Sequence, residues 1–190
     1  MNKFKGENMF NLLEELKKHT PFDENEEQSK NTVIKFLESD ADWYVRTNLA
    51  GHITAGALVV DGKGEVLLNH HKGNGMWLQF GGHSDGDTNT LNVAKREVME
   101  ESGITDFEVI SDGIFDVDVQ VIPYSARKNE PEHFHYDVNF LILAHNKNFV
   151  LSDESTELAW LTIDEARKRL DKDDVSTRRM LTKYENMLKQ

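Results

Sequence analysis

The segment Arg96-Glu97-Val98-Met99-Glu100-Glu101-Ser102-Gly103-Ile104 restricts this chain more than any other. Residues three and four apart on a helix lie side by side. A helical Glu97, Glu100 and Glu101 therefore share one face. Three crowded carboxylates repel one another unless a cation neutralises them. Hard oxygen ligands suit Mg²⁺ or Mn²⁺ rather than zinc, and such ions act most often on phosphates. An isolated Glu-rich face is otherwise ordinary solvated surface, so the preceding residues decide. They are Gly81-Gly82-His83-Ser84-Asp85-Gly86-Asp87-Thr88. Glycines let a backbone approach a ligand closely, and the following helix N-terminus favours anions.

Charge narrows the partner. The chain has 190 residues, 34 acidic against 22 basic, for a net charge of −12. That field opposes a nucleic-acid backbone, whose binding rests on Lys and Arg, but not a small nucleotide-like diphosphate bridged by metal. No apolar run reaches the roughly 18 residues of a membrane span, and Met1–Gly6 lacks the apolar core of a secretion signal. The absence of cysteine excludes disulfides, thiolate catalysis and cysteine-based zinc sites, and it fits a cytoplasmic protein.

Periodicity organises the rest. Met9, Leu12, Leu13 and Leu16 have helical spacing, which Thr20-Pro21 ends, and residues 24–38 form a second helix. Ile53–Val60 and Val66–Leu68 read as strands around the turn Asp61-Gly62-Lys63-Gly64. Residues 81–87 read as a loop, and the acidic helix runs from Thr90 to Ser102 with Gly103 as its C-cap. Val109–Ile110, Ile114–Ile122, His133–Leu143 and the short Trp160-Leu161 are further strands. Ile163–Leu170 and Val175–Leu188 are closing helices. The fold class is α/β, a mixed-sheet sandwich.

With the loop included, the chain resembles the Nudix hydrolases. Their signature runs G, five residues, E, seven residues, R-E, an apolar residue, any residue, E-E, any residue, G and an apolar residue. Gly82, Arg96, Glu97, Val98, Glu100, Glu101, Gly103 and Ile104 stand at matching positions. Two positions depart: Thr88 replaces the first glutamate, and Phe80 stands where a proline often precedes the glycine pair. The loop from Gly81 to Asp87, with His133-Phe134-His135-Tyr136-Asp137 and Ala126-Arg127-Lys128, resembles one Nudix subgroup but supplies no substrate. The resemblance implies an α/β/α sandwich over residues 51–190, preceded by a helical arm over 1–50. It also implies a Mg²⁺- or Mn²⁺-dependent hydrolase that cleaves a nucleoside diphosphate linked to another moiety.

By the same resemblance, Glu97, Glu100, Glu101 and the Gly81 carbonyl hold the metal. Glu97 is a candidate general base and Glu101 is counted with the catalytic residues. Glu154 and Glu157, in the acidic segment before Trp160, are alternative bases. Arg96 positions the loop, with Asp87 as its replacement partner for the missing glutamate and Gly103 ending the helix. Gly82, His83 and Arg127 are candidate phosphate contacts, with Lys128 beside them.

Alternation puts Asp116, Asp118 and Gln120 on one face of their strand, and His133, His135, Asp137 and Asn139 on one face of theirs. If the two strands pair as a hairpin, their polar stripes adjoin as either a cleft wall or a solvated surface. Two histidines and an aspartate can also bind zinc, which is the less favoured reading. His70-His71 reads as strand-end surface. Three functions remain distinct: a hydrolase, a nucleotide-sensing module that has lost catalysis, and a Nudix-fold isomerase, whose required cysteine is absent. Family analogy also makes the helical arm a candidate homodimer contact.

Overall fold

A computed structural model describes residues 10–39, 42–126 and 129–190. Helices α1 (Leu12–Lys18) and α2 (Glu24–Ser39) come first, followed by strands β1 (Gly51–Val60), β2 (Glu65–His71), β3 (Trp77–Leu78) and β4 (Phe80–His83). Helix α3 (Thr90–Ser102) carries the glutamates. After it come β5 (Phe107–Val109), β6 (Asp116–Ile122), β7 (His133–Ala144) and β8 (Ser155–Thr162), then α4 (Ile163–Arg169) and α5 (Val175–Leu188).

Strand β1 is buried at every position and organises the sheet. It runs parallel to β7 along its whole length. On its other edge it pairs antiparallel with β4 through residues 54–57 and with β2 at Val59 and Val60. A strand covered on both faces reads as a nearly continuous apolar run, which is why its length was legible. One face packs Ile53, Ala55, Ala57 and Val59 against Val93, Ala94 and Val98 of α3 and against α1 and α2. The other face packs Leu58, Val60 and Leu141 against Met180, Leu181 and Tyr184 of α5 and Ala166 of α4. The expected α/β/α sandwich is present, and the N-terminal helices are part of its core. Leu12, Leu16, Val33 and Phe36 are buried with β1 and β7, and the Phe36 ring stacks on Tyr136 with centroids 4.2 Å apart.

A buried charge cluster ties α2, β6 and α5 together. Lys183 Nζ donates to Glu26 Oε1 at 2.6 Å and to Asp116 Oδ1 at 2.8 Å. Arg179 grips both Asp116 oxygens at 2.7 Å. Burial by itself would push the Glu26 carboxyl up. Hydrogen bonds from His19 and Lys183 outweigh it and hold the group down at about 2.

Two elements differ from the sequence reading. Residues 81–83 are strand rather than loop: Gly81 pairs with Gly56 and Gly82 with Ala55. A Cβ on Gly56 would sit 2.4 Å from the Phe80 carbonyl oxygen, so this close approach of β1 and β4 needs glycine. Trp160-Leu161 is the end of an eight-residue strand whose polar first half is held by pairing with β2. Both differences come from a pairing partner distant in the chain.

Candidate active site

Helix α3 starts where the Asn89 side chain accepts from the Asn92 N–H, and it stops at Gly103, whose φ of 69° is left-handed. Between these caps, Glu97 and Glu101 turn toward Gly81 and Gly82. Glu101 is 7% exposed. Its Oε2 accepts from Asn69 Nδ2 at 2.8 Å, and its Oε1 accepts from the Gly81 N–H at 3.5 Å. Burial, then the Glu97 charge, pushes the Glu101 carboxyl up to about 8. Burial pushes Glu97 up as well, against the pull of Arg96. Glu100 is exposed, with one oxygen 4.0 Å from Arg96 Nε. A Cβ on Gly82 would lie 2.6 Å from the Glu97 carboxyl carbon, so a side chain there would displace that carboxylate from its present position. A buried and a partly buried carboxylate, both held against their ordinary ionisation, fit a hard divalent cation, which would relieve both desolvation and repulsion.

Arg96 donates from one terminal nitrogen to the His83 carbonyl at 2.9 Å and to Glu97 Oε1 at 2.8 Å. It thus joins loop and helix directly. The side chain of Asp87 accepts from the Asn89 N–H at 2.8 Å. A second brace crosses the same segment. Arg46 pairs with both oxygens of Asp85 at 2.8 and 2.9 Å, and Asp85 is itself left-handed at φ 47°.

These residues open onto a cleft of about 1190 Å³. Strands β6 and β7 pair antiparallel as expected, with Asp118 opposite Asp137 and Gln120 opposite His135. Asp118, Gln120, His135, Asp137 and Asn139 line the cleft with Glu97, Glu100, Glu101 and Glu154. The polar stripes are therefore a cleft wall. Asp137 accepts from the Thr54 hydroxyl, and burial pushes its carboxyl up to about 7. Burial, then Arg46, pushes the His83 ring down to about 4.

The exposed Glu154 carboxylate is near enough for its charge to raise Glu97 and Glu101. Glu157 instead faces Arg169 at 3.4 Å. His71 lines the cleft, which corrects its reading as strand-end surface, because β2 ends at the mouth. His133 is buried beside His52. Arg127 and Lys128 lie outside the described residues.

Sequence reasoning missed three cleft groups that hold other site residues by hydrogen bonds, namely Asn69, Thr54 and Arg46. Asn69 interrupts the apolar run of β2, and that interruption was the available signal. Thr54 alternates in phase with His52 and Gly56, a parity that marks one face of β1. Nothing local marks Arg46.

Comparison with known proteins agrees with this geometry. The NUDIX domain profile matches residues 51–184. The chain belongs to the NUDIX domain family, and its enzyme class is that of the Nudix pyrophosphohydrolases. These enzymes generally act on nucleoside diphosphate derivatives with a divalent metal. Among solved structures, it is similar to a MutT protein from Methanosarcina mazei, at 22% identity and TM-score 0.54 over 74% of this chain and 96% of that one. It is similar to the Nudix hydrolase RenU from M. smegmatis, at 19% identity and TM-score 0.54 over 72% and 88%. A C. elegans Ap4A hydrolase binary complex aligns at 20% identity and TM-score 0.50 over 72% and 98%. These likenesses concern the fold. No curated protein is similar enough in sequence to count as a relative.

Proposed function

We propose that the protein hydrolyses the diphosphate linkage of a nucleoside diphosphate joined to a second moiety, using Mg²⁺ or Mn²⁺. The observation that carries this reading is the pair of carboxylates Glu97, partly buried, and Glu101, buried, both pushed up and both at the glycine edge of a polar cleft. Glu97, Glu100 and Glu101 would hold the ion, with the Gly81 carbonyl completing the oxygen set. When bound, such an ion neutralises diphosphate oxygens and makes a water more acidic. Glu97 or Glu154 takes the proton of the attacking water. Gly82, His83 and Arg127 face the phosphates, Arg96 fixes the His83 carbonyl relative to Glu97, and His135 and Asp137, with His133 packed behind them, serve the rest of the substrate. The Arg96 contacts support catalysis despite Thr88, because the arginine is held without a carboxylate at that position. The cysteine-free composition fits a cytoplasmic setting.

Thr88 favours the second reading, a nucleotide-binding module without turnover. The deciding experiment is a panel of ADP-ribose-like compounds, dinucleotide polyphosphates and nucleoside triphosphates with Mg²⁺, run beside Glu101→Gln. Turnover by wild type that falls at least about 100-fold in the variant supports the hydrolase. Binding without turnover supports the module, and equal turnover in both proteins refutes the metal assignment.

A further inference from the structure

Four histidines converge beside the glutamate site, and the sheet register explains how. His52 of β1 is the direct partner of His135 in the parallel pairing with β7. His133 lies two residues earlier on the same face of β7. His83 of β4 is paired with Thr54, two residues beyond His52. The His52 ring centroid lies 4.9 Å from His83, 5.0 Å from His133 and 4.9 Å from His135. One ligand atom from each of His52, His133 and His135 falls within 4.8 Å of the others.

The hydrogen-bond pattern is that of ligands. His133 Nδ1 lies 2.8 Å from the Pro131 carbonyl, which can only accept, so Nδ1 is the donor and Nε2 is the nitrogen left to meet an ion. His52 Nδ1 faces the Asn48 carbonyl at 3.5 Å in the same sense. Among the described residues, the Nε2 atoms of both rings are buried without a hydrogen-bond partner. Metal-bound histidines have this arrangement, with one nitrogen donating to a carbonyl and the other aimed at the ion. A buried nitrogen without a partner otherwise costs free energy, and here two such rings lie side by side with centroids 5.0 Å apart.

We propose that His52, His133 and His135 form a second metal site, for Zn²⁺ or a similar imidazole-preferring ion, separate from the carboxylate site. Three imidazoles suit such an ion and not Mg²⁺. The pairing replaces the strand motif of two histidines and an aspartate with three histidines, because Asp137 is engaged by Thr54 and His52 comes from another strand. Three protein ligands leave a fourth position open, as in catalytic zinc sites. His135 and His83 line the cleft, so that open position adjoins the substrate space. An ion there would take an oxygen of the substrate away from the scissile linkage. The His83 carbonyl and Glu97 share Arg96, so the two sites are neighbours.

The test reads metal directly and so stands apart from the hydrolase reading. Protein stripped with chelator is loaded with Zn²⁺, freed of excess by gel filtration, and assayed for zinc. One Zn²⁺ per chain is expected in wild type and in Glu97→Gln/Glu100→Gln/Glu101→Gln. His52→Ala and His135→Ala should weaken binding by more than the roughly 10–100-fold that loss of a ligand's hydrogen-bond partner costs. Should the buried His52 variant fail to fold, the partly exposed His135 variant and the Co²⁺ spectrum of wild type still decide. Intense visible bands of tetrahedral Co²⁺ support the site. Failure of wild type to retain zinc, retention unchanged in His135→Ala, or a pale octahedral Co²⁺ spectrum that vanishes in the triple glutamine variant overturns it.

Discussion

Replacing Glu101 with Gln should stabilise the metal-free protein at alkaline pH while destroying its response to Mg²⁺. Glutamine resembles the protonated glutamate that the site favours and can still accept from Asn69. An ordinary glutamate ionises near 4.5, whereas Glu101 in the fold is pushed up to about 8 by burial and by Glu97. Below 4.5 both folded and unfolded chains hold the proton, and the site carries no ionisation penalty. Between 4.5 and about 8 the unfolded chain has released a proton that the fold retains, so stability falls as pH rises. Above about 8 the loss is complete. At about 1.36 kcal/mol per pH unit, that interval sets a ceiling near 5 kcal/mol. Relaxation and water entry reduce it, so we expect about 2 kcal/mol. Urea unfolding in chelator should show the variant gaining on wild type by this amount between about pH 4.5 and 8. Saturating Mg²⁺ should then stabilise wild type more than the variant at the upper pH, because binding requires the ionised carboxylate. A gap that stays constant with pH, or equal gains from Mg²⁺, would refute the argument.

Gly82→Ala would drive a methyl group into the Glu97 carboxylate, 2.6 Å away. About 100-fold loss of kcat is expected with an unchanged circular dichroism spectrum, and near-normal turnover would count against the Glu97 placement. Glu26→Gln removes a buried charge facing Lys183 and Arg179, so a loss of about 3–5 kcal/mol is expected in urea unfolding; a loss under about 1 kcal/mol would contradict the charge cluster. Because Glu26 is held at about 2, wild type should keep this stabilisation above pH 4.5 and lose it as pH falls toward 2, while the variant shows a shallower acid transition. Gly103→Ala forces a side chain into a left-handed position and against Val150, with a Cβ contact of 2.9 Å; about 1–2 kcal/mol should be lost in thermal or urea unfolding.

Much of the architecture was legible because its signals are local. The acidic helix, its glycine cap and the buried run of β1 each follow from spacing within one segment. The β6–β7 hairpin was legible as well, because two alternating strands lie next to each other in the sequence with only a polar connection between them. Residues 81–83 and 155–159 were harder. Their strand character comes from edges supplied by β1 and β2, and neither segment has the alternation that would announce it. The cleft wall also needed the fold: alternation put Asp118 and Asp137 on polar stripes, but whether a stripe meets solvent or another element depends on the layer above it.

The glutamate face was encoded in the chain directly, since one helical turn is enough to bring Glu97 beside Glu101. Its meaning changed with burial. The fold removes water from Glu101, places Asn69 against it and leaves space over Gly82 for Glu97, turning a charged surface pattern into a strained pair suited to a cation. The histidine cluster was encoded locally only in part: alternation puts His133 and His135 on one face of β7, but nothing local adds His52 or His83. His52, His83, His133 and His135 sit on three strands, and only the parallel register of β1 with β7, with β4 on the opposite edge of β1, brings their rings together. A helix carries its neighbour relations in its own spacing, whereas a sheet acquires them from whichever strands pair across it.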